Sequence, residues 1–267
     1  MFGIIKTFAK ELFTYRLEMI MSLLIMPIKF LIMIIVWTAL YSNNSTSIIA
    51  GYSLENLITY FILSSIVIVL ISDWTTWTIQ DHIREGGFVS LLVKPYSYLK
   101  YLFLNKIGSK FVNLFVQIIP LLIILVLFFR KYFISGNVLL FTIAIIFSFI
   151  MYYFINFIVG LFAFWLVSVN SLQWITRFAI ELLAGGLVPI TLFPNFLQKA
   201  LDYLPFKYLI FSPIEIYLGK YTTNFSNGFT NSVYFVYLMQ ILWCVVLYII
   251  IKLMYKQAIK RFSGVGV

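Results

Sequence analysis

The sequence contains little charge, one cysteine and one histidine. Charged residues make up 10% of its 267 residues, whereas a typical soluble domain has about 25%. The single cysteine, Cys244, excludes a disulfide framework or a thiol cluster, and the single histidine, His82, excludes bis-histidine metal or haem sites. We therefore expect neither an ordinary soluble domain nor a metal centre or cofactor in this chain.

Acidic residues are also scarce. Nine Asp and Glu stand against nineteen Lys and Arg, and the net charge is +10. Such a balance can indicate nucleic-acid binding, but here the basic residues are distributed among separate polar segments and do not form one patch. The sequence predicts no nucleic-acid partner.

Long apolar runs dominate what is present. Hydrophobic residues make up 63% of the chain and the mean hydropathy is +1.02. A helix needs roughly 20 apolar residues to cross about 30 Å of hydrocarbon. The runs show almost no alternation, which excludes a membrane barrel. We predict one all-α transmembrane domain over residues 1–267, with membrane lipid around it and six spans at 20–41, 56–77, 108–129, 138–166, 174–193 and 232–252.

The basic residues predict the topology. With the N-terminus inside, the inner segments hold thirteen Lys and Arg residues and the outer segments five, with Lys29 inside the first span. Positive charge collects on the cytoplasmic side of membrane proteins. Both termini are therefore expected in the cytoplasm, which agrees with an even number of spans. The excess of Lys over Arg, with abundant Ile, Asn, Phe and Tyr, is typical of a prokaryotic cell membrane protein.

The first 19 residues have an amphipathic pattern, with apolar side chains on one side and Lys6, Lys10 and Glu11 on the other. This pattern predicts an interfacial helix on the inner leaflet, and the alternative is a simple flank of the first span. The charged residues interrupt the apolar core that a signal peptide needs. We expect the segment to be retained.

Residues 80–96 form the longest polar break in the first half of the chain. Charge at the start, a glycine pair, an apolar stripe and a closing proline predict a short helix that lies across another surface. The alternative is a solvated inner loop. The candidate docking residues are Arg84, Glu85, Gly86, Gly87, Phe88, Leu91, Leu92 and Pro95.

Residues 187–220 contain apolar pieces too short to span, separated by prolines. Broken helices at membrane depth are tolerated where protein or water covers the free backbone groups. The segment predicts a re-entrant or extracellular helical hairpin, and the alternative is a loop on the headgroups. The candidate outer-gate residues are Gly185, Gly186, Pro189, Pro194, Pro205, Phe206 and Pro213.

Four ionisable residues in or next to the predicted spans are candidates for a pathway or a dimer seam: Lys29, Asp73, Arg177 and Glu181. Charges there are costly and need a partner or a wet cavity. Simpler alternatives are snorkelling of Lys29, an anchoring or capping role for Asp73, and an i,i+4 pair between Arg177 and Glu181.

A further polar position, Asn156, is followed by Gly160 one turn later in the fourth predicted span. Small and polar residues at helical spacing favour packing against another helix. We therefore expect this face of the span to be turned away from lipid.

The order of these features resembles that of type-2 ATP-binding-cassette permeases. The resemblance depends on the stretch from Ile83 to Pro95 after the second span, on Gly185 to Ile190, on Leu204-Pro205-Phe206, and on the basic tail from Lys260 to Gly264. It implies a pair of permeases, identical or paralogous, with two separate ATPase subunits that dock on the helix after the second span.

The chain lacks a Gly-x-x-x-x-Gly-Lys-Ser/Thr phosphate loop. ATP and Mg²⁺ are therefore expected in a partner, and the chain is not expected to be an enzyme. The resemblance implies an ATP-driven exporter that moves substrate outward along the permease interface. The alternatives are an ATP-independent channel or secondary transporter, and an intramembrane enzyme or scaffold.

Overall fold

The computed structural model describes residues 28, 31–42, 48–49, 51–93, 95, 97–114, 118–120, 122–123, 127, 136–223 and 229–261. Over these residues the secondary structure is helical, with two isolated bridges and no β-strand. The helices are α1 (Leu31–Ser42), α2 (Leu54–Ile71), α3 (Thr75–Arg84), α4 (Gly87–Leu92), α5 (Tyr98–Asn113), α6 (Val138–Leu161), α7 (Asn170–Leu183), α8 (Asn195–Asp202), α9 (Phe211–Tyr217) and α10 (Val233–Arg261).

Three helical stretches of the described chain are long and apolar enough to cross a membrane: Leu54–Arg84, Val138–Phe164 and Val233–Arg261. They coincide with the second, fourth and sixth predicted spans, so the all-α membrane class is confirmed. The predicted spans 20–41 and 108–129 fall partly outside the described residues, and the segment 1–19, Lys29 and Lys94 lie wholly outside them.

The prediction of one continuous span from 174 to 193 is wrong. Helix α7 is Asn170–Leu183, and its 14 residues cover only about 21 Å at 1.5 Å per residue. The chain then turns at Gly185, whose φ is +82°, a left-handed conformation that glycine adopts without steric cost. The glycine pair therefore ends the helix before the apolar run ends.

The chain forms two compact units, residues 1–70 with 107–136 and residues 71–106 with 137–267. In the first unit, Ile58, Ile62 and Ile66 of α2 are buried at one-turn spacing and pack against Ile34 of α1. The rings of Trp37 and Phe61 stack with centroids 5.7 Å apart. Interdigitating apolar and aromatic side chains thus hold α1 against α2.

The second unit is built around α6. This helix packs against α3, α9 and α10, and its buried residues recur at spacings of three and four from Phe141 to Leu161. Asn137 caps it, since its Oδ1 accepts a hydrogen bond from the Leu140 backbone N–H at 3.2 Å. A helix surrounded by other helices on several sides is expected to be apolar around most of its circumference, as α6 is.

The contact between α3 and α6 is unusually close at Gly160. A Cβ atom on Gly160 would lie 2.6 Å from Cδ1 of Ile79 and 3.1 Å from its Cβ. Asn156 is also buried on this face. The prediction that the Asn156 and Gly160 face packs against another helix is confirmed, and its neighbour is the helix that leads into α4.

Candidate functional site

The predicted docking segment consists of α3, a turn and the six-residue helix α4. Gly86 has φ of +75° and forms the turn between the two helices, a conformation that favours glycine. The Glu85 N–H donates to the Asp81 carbonyl at 2.9 Å and the Gly86 N–H to the Ile83 carbonyl. The glycine pair thus allows the chain to end one helix and begin the next within two residues.

The apolar stripe of α4 is divided between two sides. Phe88 is 0% exposed, and its ring contacts those of Tyr98 and Phe164 edge to face, with centroids 5.0 and 5.1 Å apart. Leu91 is also buried in the same cluster. The expectation that these two residues face a partner is corrected, because both anchor α4 to its own chain.

The outward side of α4 is formed by Val89, Leu92 and the C-terminal cap residue Val93, which is 84% exposed. Arg84, Glu85 and Pro95 are exposed beside them. Of the predicted docking set, Arg84, Glu85, Leu92 and Pro95 therefore remain accessible. Val89 and Val93, which are not among the predicted docking residues, are accessible as well.

Asp73 lies in the break between α2 and α3. Its Oδ1 accepts a hydrogen bond from the Thr75 backbone N–H at 2.7 Å, which satisfies one of the first amide groups of α3. Further along α3, the Thr78 hydroxyl accepts a hydrogen bond from Lys106 Nζ of α5 at 2.9 Å. The capping role of Asp73 agrees with this geometry, and a role in a pathway stays a prediction.

A buried polar network centres on Asn156 of α6. Its Oδ1 accepts from Gln173 Nε2 of α7 at 2.7 Å and from the Thr76 hydroxyl of α3 at 3.3 Å. The Thr76 hydroxyl also donates to the Asn156 backbone carbonyl at 2.9 Å, and Asn156 Nδ2 donates to the Tyr152 carbonyl. Three helices are therefore joined through one amide side chain.

A second set of hydrogen bonds joins α3 directly to the start of α7. Gln80 Oε1 accepts from the Val169 backbone N–H at 2.7 Å, and its Nε2 donates to Asn170 Oδ1 at 3.2 Å. The indole N–H of Trp77 donates to the same Asn170 oxygen at 3.0 Å. The side chains of α3 thus hold both the backbone and a side chain at the N-terminus of α7.

Arg177 and Glu181 form an ion pair one turn apart on α7, with Nε and Oε1 3.3 Å apart. The guanidinium carbon of Arg177 lies 5.9 Å from the ring centroid of Trp174. The simpler alternative from the sequence, an intrahelical i,i+4 pair, is what the structure contains. The pair's place in a dimer seam stays a prediction.

The predicted outer segment folds into short helical pieces after α7. These are 3₁₀ turns at Ile190–Leu192 and Phe206–Tyr208, with α8 and α9. The Phe211 N–H donates to the Ala184 carbonyl at 3.0 Å, so α9 begins against the end of α7. Of the predicted gate residues, Gly185, Gly186, Pro189, Pro205 and Pro213 are buried, Phe206 is half-buried and Pro194 is exposed.

This segment makes a polar contact with α10 and an ion pair within itself. Gln240 of α10 donates from Nε2 to the Tyr208 carbonyl at 2.9 Å and lies 3.2 Å from the Ser148 hydroxyl of α6. Lys220 pairs with the buried Glu215, with Nζ and Oε2 3.2 Å apart. Burial lowers the pKa of the Lys220 ammonium, and the Glu215 carboxylate opposes that shift. Gln240 thus attaches the middle of the segment to the bundle, while the ion pair joins two residues of the segment itself.

The glutamines of these networks are functional candidates that were not predicted from the sequence. Gln80, Gln173 and Gln240 are all buried. A signal for Gln240 was present, since an amide within an otherwise apolar span indicates a contact with another helix. Gln80 and Gln173 lie in mixed polar sequence, where no comparable contrast marks them.

The part of the chain that the structure describes contains no group of three or more His, Cys, Asp or Glu side chains positioned for a metal ion. Comparison with characterised proteins and with solved structures gave no match. A family model described as ABC-2 family transporter protein matches residues 12–266. Since the match covers nearly the whole chain, this multi-pass membrane protein belongs to the ABC-2 transporter family, whose members are permease components of ABC transporters.

Proposed function

We propose that this chain is the membrane-spanning subunit of an ATP-driven exporter, and that a cytoplasmic ATPase subunit docks on the outward side of α4. The observation that carries this proposal is the division of α4 into two sides. Phe88 and Leu91 are buried in the chain, while Val89, Leu92 and Val93 are exposed. A short helix that is anchored on one side and apolar on the other suits a protein contact.

The anchoring supports a mechanical role. A docking element transmits movement only if it is fixed to the helices that must move, because a mobile loop would absorb the displacement. Phe88 packs edge to face with Tyr98 and Phe164, in a cluster that also contains Tyr153 and Ile251. Force applied to α4 would therefore reach α5 through Tyr98, and α6 and α10 through the contacts of Tyr98 with Phe157 and Tyr255.

The exposed surface also has the composition of a small interface. Apolar Val89, Leu92 and Val93 lie beside charged Arg84 and Glu85, and a protein interface commonly has an apolar centre with a polar rim. In this proposal the apolar residues supply contact area and the charged ones set orientation. ATP and Mg²⁺ bind in the ATPase subunit.

The remaining parts of the proposal follow from family membership and charge. Two permeases, identical or paralogous, pair with two ATPase subunits, and substrate moves outward along the seam between the permeases. The basic bias of the predicted inner segments supports cytoplasmic termini in a prokaryotic cell membrane. The buried contacts of the segment that follows α7 support a defined gate there.

Charge introduced on the outward side of α4 tests the docking site. We expect Val93→Glu and Leu92→Glu to lower recovery of the ATPase subunit with the affinity-tagged chain by at least about tenfold, which corresponds to about 1.4 kcal/mol of binding free energy. A carboxylate at the centre of an apolar contact loses its hydration without gaining a partner. The measurement is quantitative co-purification from membranes in mild detergent.

Phe196→Glu is the matched control, because Phe196 is a similarly exposed apolar side chain on α8 (74% exposed) and lies outside the docking segment. It should leave recovery of the ATPase unchanged. Normal recovery with both α4 variants, at normal expression of the chain, would exclude this side of α4 as the docking site.

A further inference from the structure

We infer that Gln80, Asn156 and Asn170 link the docking segment to α7, so that α3, α4 and the first turns of α7 move as one body during transport. The role of this link in transport rests on the proposed function. The link itself is a property of the chain alone and is testable without the ATPase.

The link consists of hydrogen bonds made by few side chains. Gln80 bonds the Val169 backbone N–H and the Asn170 side chain, and Asn156 bonds both Thr76 and Gln173. Gln80, Thr76 and Asn156 are buried. Movement of α3 away from α7 would therefore break several bonds at once, and those made by Thr76, Asn156 and the Gln80 side-chain carbonyl oxygen are buried away from solvent.

The physical chemistry makes such a link stiff. A buried polar group that loses its partner carries a desolvation penalty, and that penalty grows where the surroundings are apolar. The close approach of Gly160 to Ile79 removes the free space that sliding between α3 and α6 would need. Hydrogen bonds oppose separation of α3 from α7, and packing opposes slippage.

The link has a defined output. At its far end α7 turns at Gly185, and the Ala184 carbonyl accepts the Phe211 N–H of α9. A displacement of α4 would thus be passed by α3 to the start of α7, and by the end of α7 to the segment that contains the predicted gate. The docking helix and the predicted gate, which are distant in sequence, are thus connected through α3 and α7.

Spin labels on α3 and α7 test whether these helices move together. The labels replace Asp81 and Ile175, both exposed, in a Cys244→Ser background, and the full-length chain is measured in lipid nanodiscs with its ATPase. We expect one narrow distance distribution that is the same without nucleotide and with ATP plus vanadate. A shift in the native chain of as much as one helical turn, about 5 Å, would overturn the inference.

Asn170→Ala removes the acceptor shared by Trp77 and Gln80. Since Asn170 is exposed, this variant is expected to fold. It should broaden the distance distribution or make it depend on nucleotide, and Gln80→Leu should do the same more strongly. Distributions that stay identical to the native one in both variants would show that these bonds do not join the helices.

Gln240→Leu is the control, since Gln240 is a fully buried amide whose hydrogen bonds go to Ala144 and Ser148 of α6 and to Tyr208. It should leave the distance distribution unchanged. The same labels on the chain without an ATPase separate the two proposals. Loss of ATPase binding would refute the docking function, while a narrow distribution that Asn170→Ala broadens would still support the link.

Discussion

Phe88→Ala is expected to lower the free energy of unfolding by about 3–5 kcal/mol, as removal of a large buried aromatic side chain typically does. The ring is fully buried and contacts the rings of Tyr98 and Phe164, so its loss leaves a cavity and removes two edge-to-face contacts. The measurement is unfolding of the purified chain by sodium dodecyl sulfate, followed by circular dichroism.

Val93→Ala is the matched control five residues along the chain. Because Val93 is 84% exposed, truncating it should change the free energy of unfolding by no more than about 0.5 kcal/mol. If Phe88→Ala were as mild as Val93→Ala, the packing of α4 against its own chain would be refuted. Phe88 would then become available for docking again.

Gly160→Leu is expected to destabilise the chain by about 3 kcal/mol, at the upper end of the usual cost of overpacking. Even a Cβ at this position would lie 2.6 Å from Ile79 Cδ1 and 3.1 Å from Ile79 Cβ, and Ile79 is itself fully buried. The larger side chain must therefore push α3 away from α6. The midpoint of thermal unfolding, measured with the detergent-purified protein, should fall accordingly.

A compensating substitution distinguishes this clash from a general intolerance of Gly160 to change. Ile79→Ala removes Cδ1 and Cγ1, which would lie 2.6 and 3.3 Å from a Cβ at position 160, and keeps only Cβ of the three contacting atoms. By itself it should cost about 2–5 kcal/mol. The double variant should cost less than the sum of the two single variants by about 0.5–3 kcal/mol, the range observed for residues in contact. Strict additivity would contradict the packing of α3 on α6 at this point.

Phe88 and Gly160 were both singled out by the sequence, but the sequence did not show which neighbours they contact. The stripe of Phe88, Leu91 and Leu92 predicted a short helix, and α4 is one. The sequence pattern treats the three residues alike, whereas the structure buries Phe88 and Leu91 and exposes Leu92. Periodicity identifies an apolar side, and only the surrounding helices decide which part of it is already covered.

The polar residues show the same division. The i,i+4 pair of Arg177 and Glu181 was readable from spacing, because both side chains lie on one helix. The contacts of Gln80 with Val169 and Asn170 join positions about 90 residues apart, and no local pattern marks such a pair. Gly160 was predicted only in part: its spacing to Asn156 predicted a packed helix face, but it did not identify Ile79 as the neighbour.

The sequence by itself determined that the chain lies in a membrane and that it is helical. Its apolar runs are too long for a soluble core, and in lipid the backbone groups must be satisfied within each helix. Its order of apolar and polar segments also determined the family. Tertiary structure alone decided that Val93 is exposed while Phe88 is buried, and that α3 is bonded to α7. These outcomes depend on contacts between residues distant in the chain, which composition and periodicity do not encode.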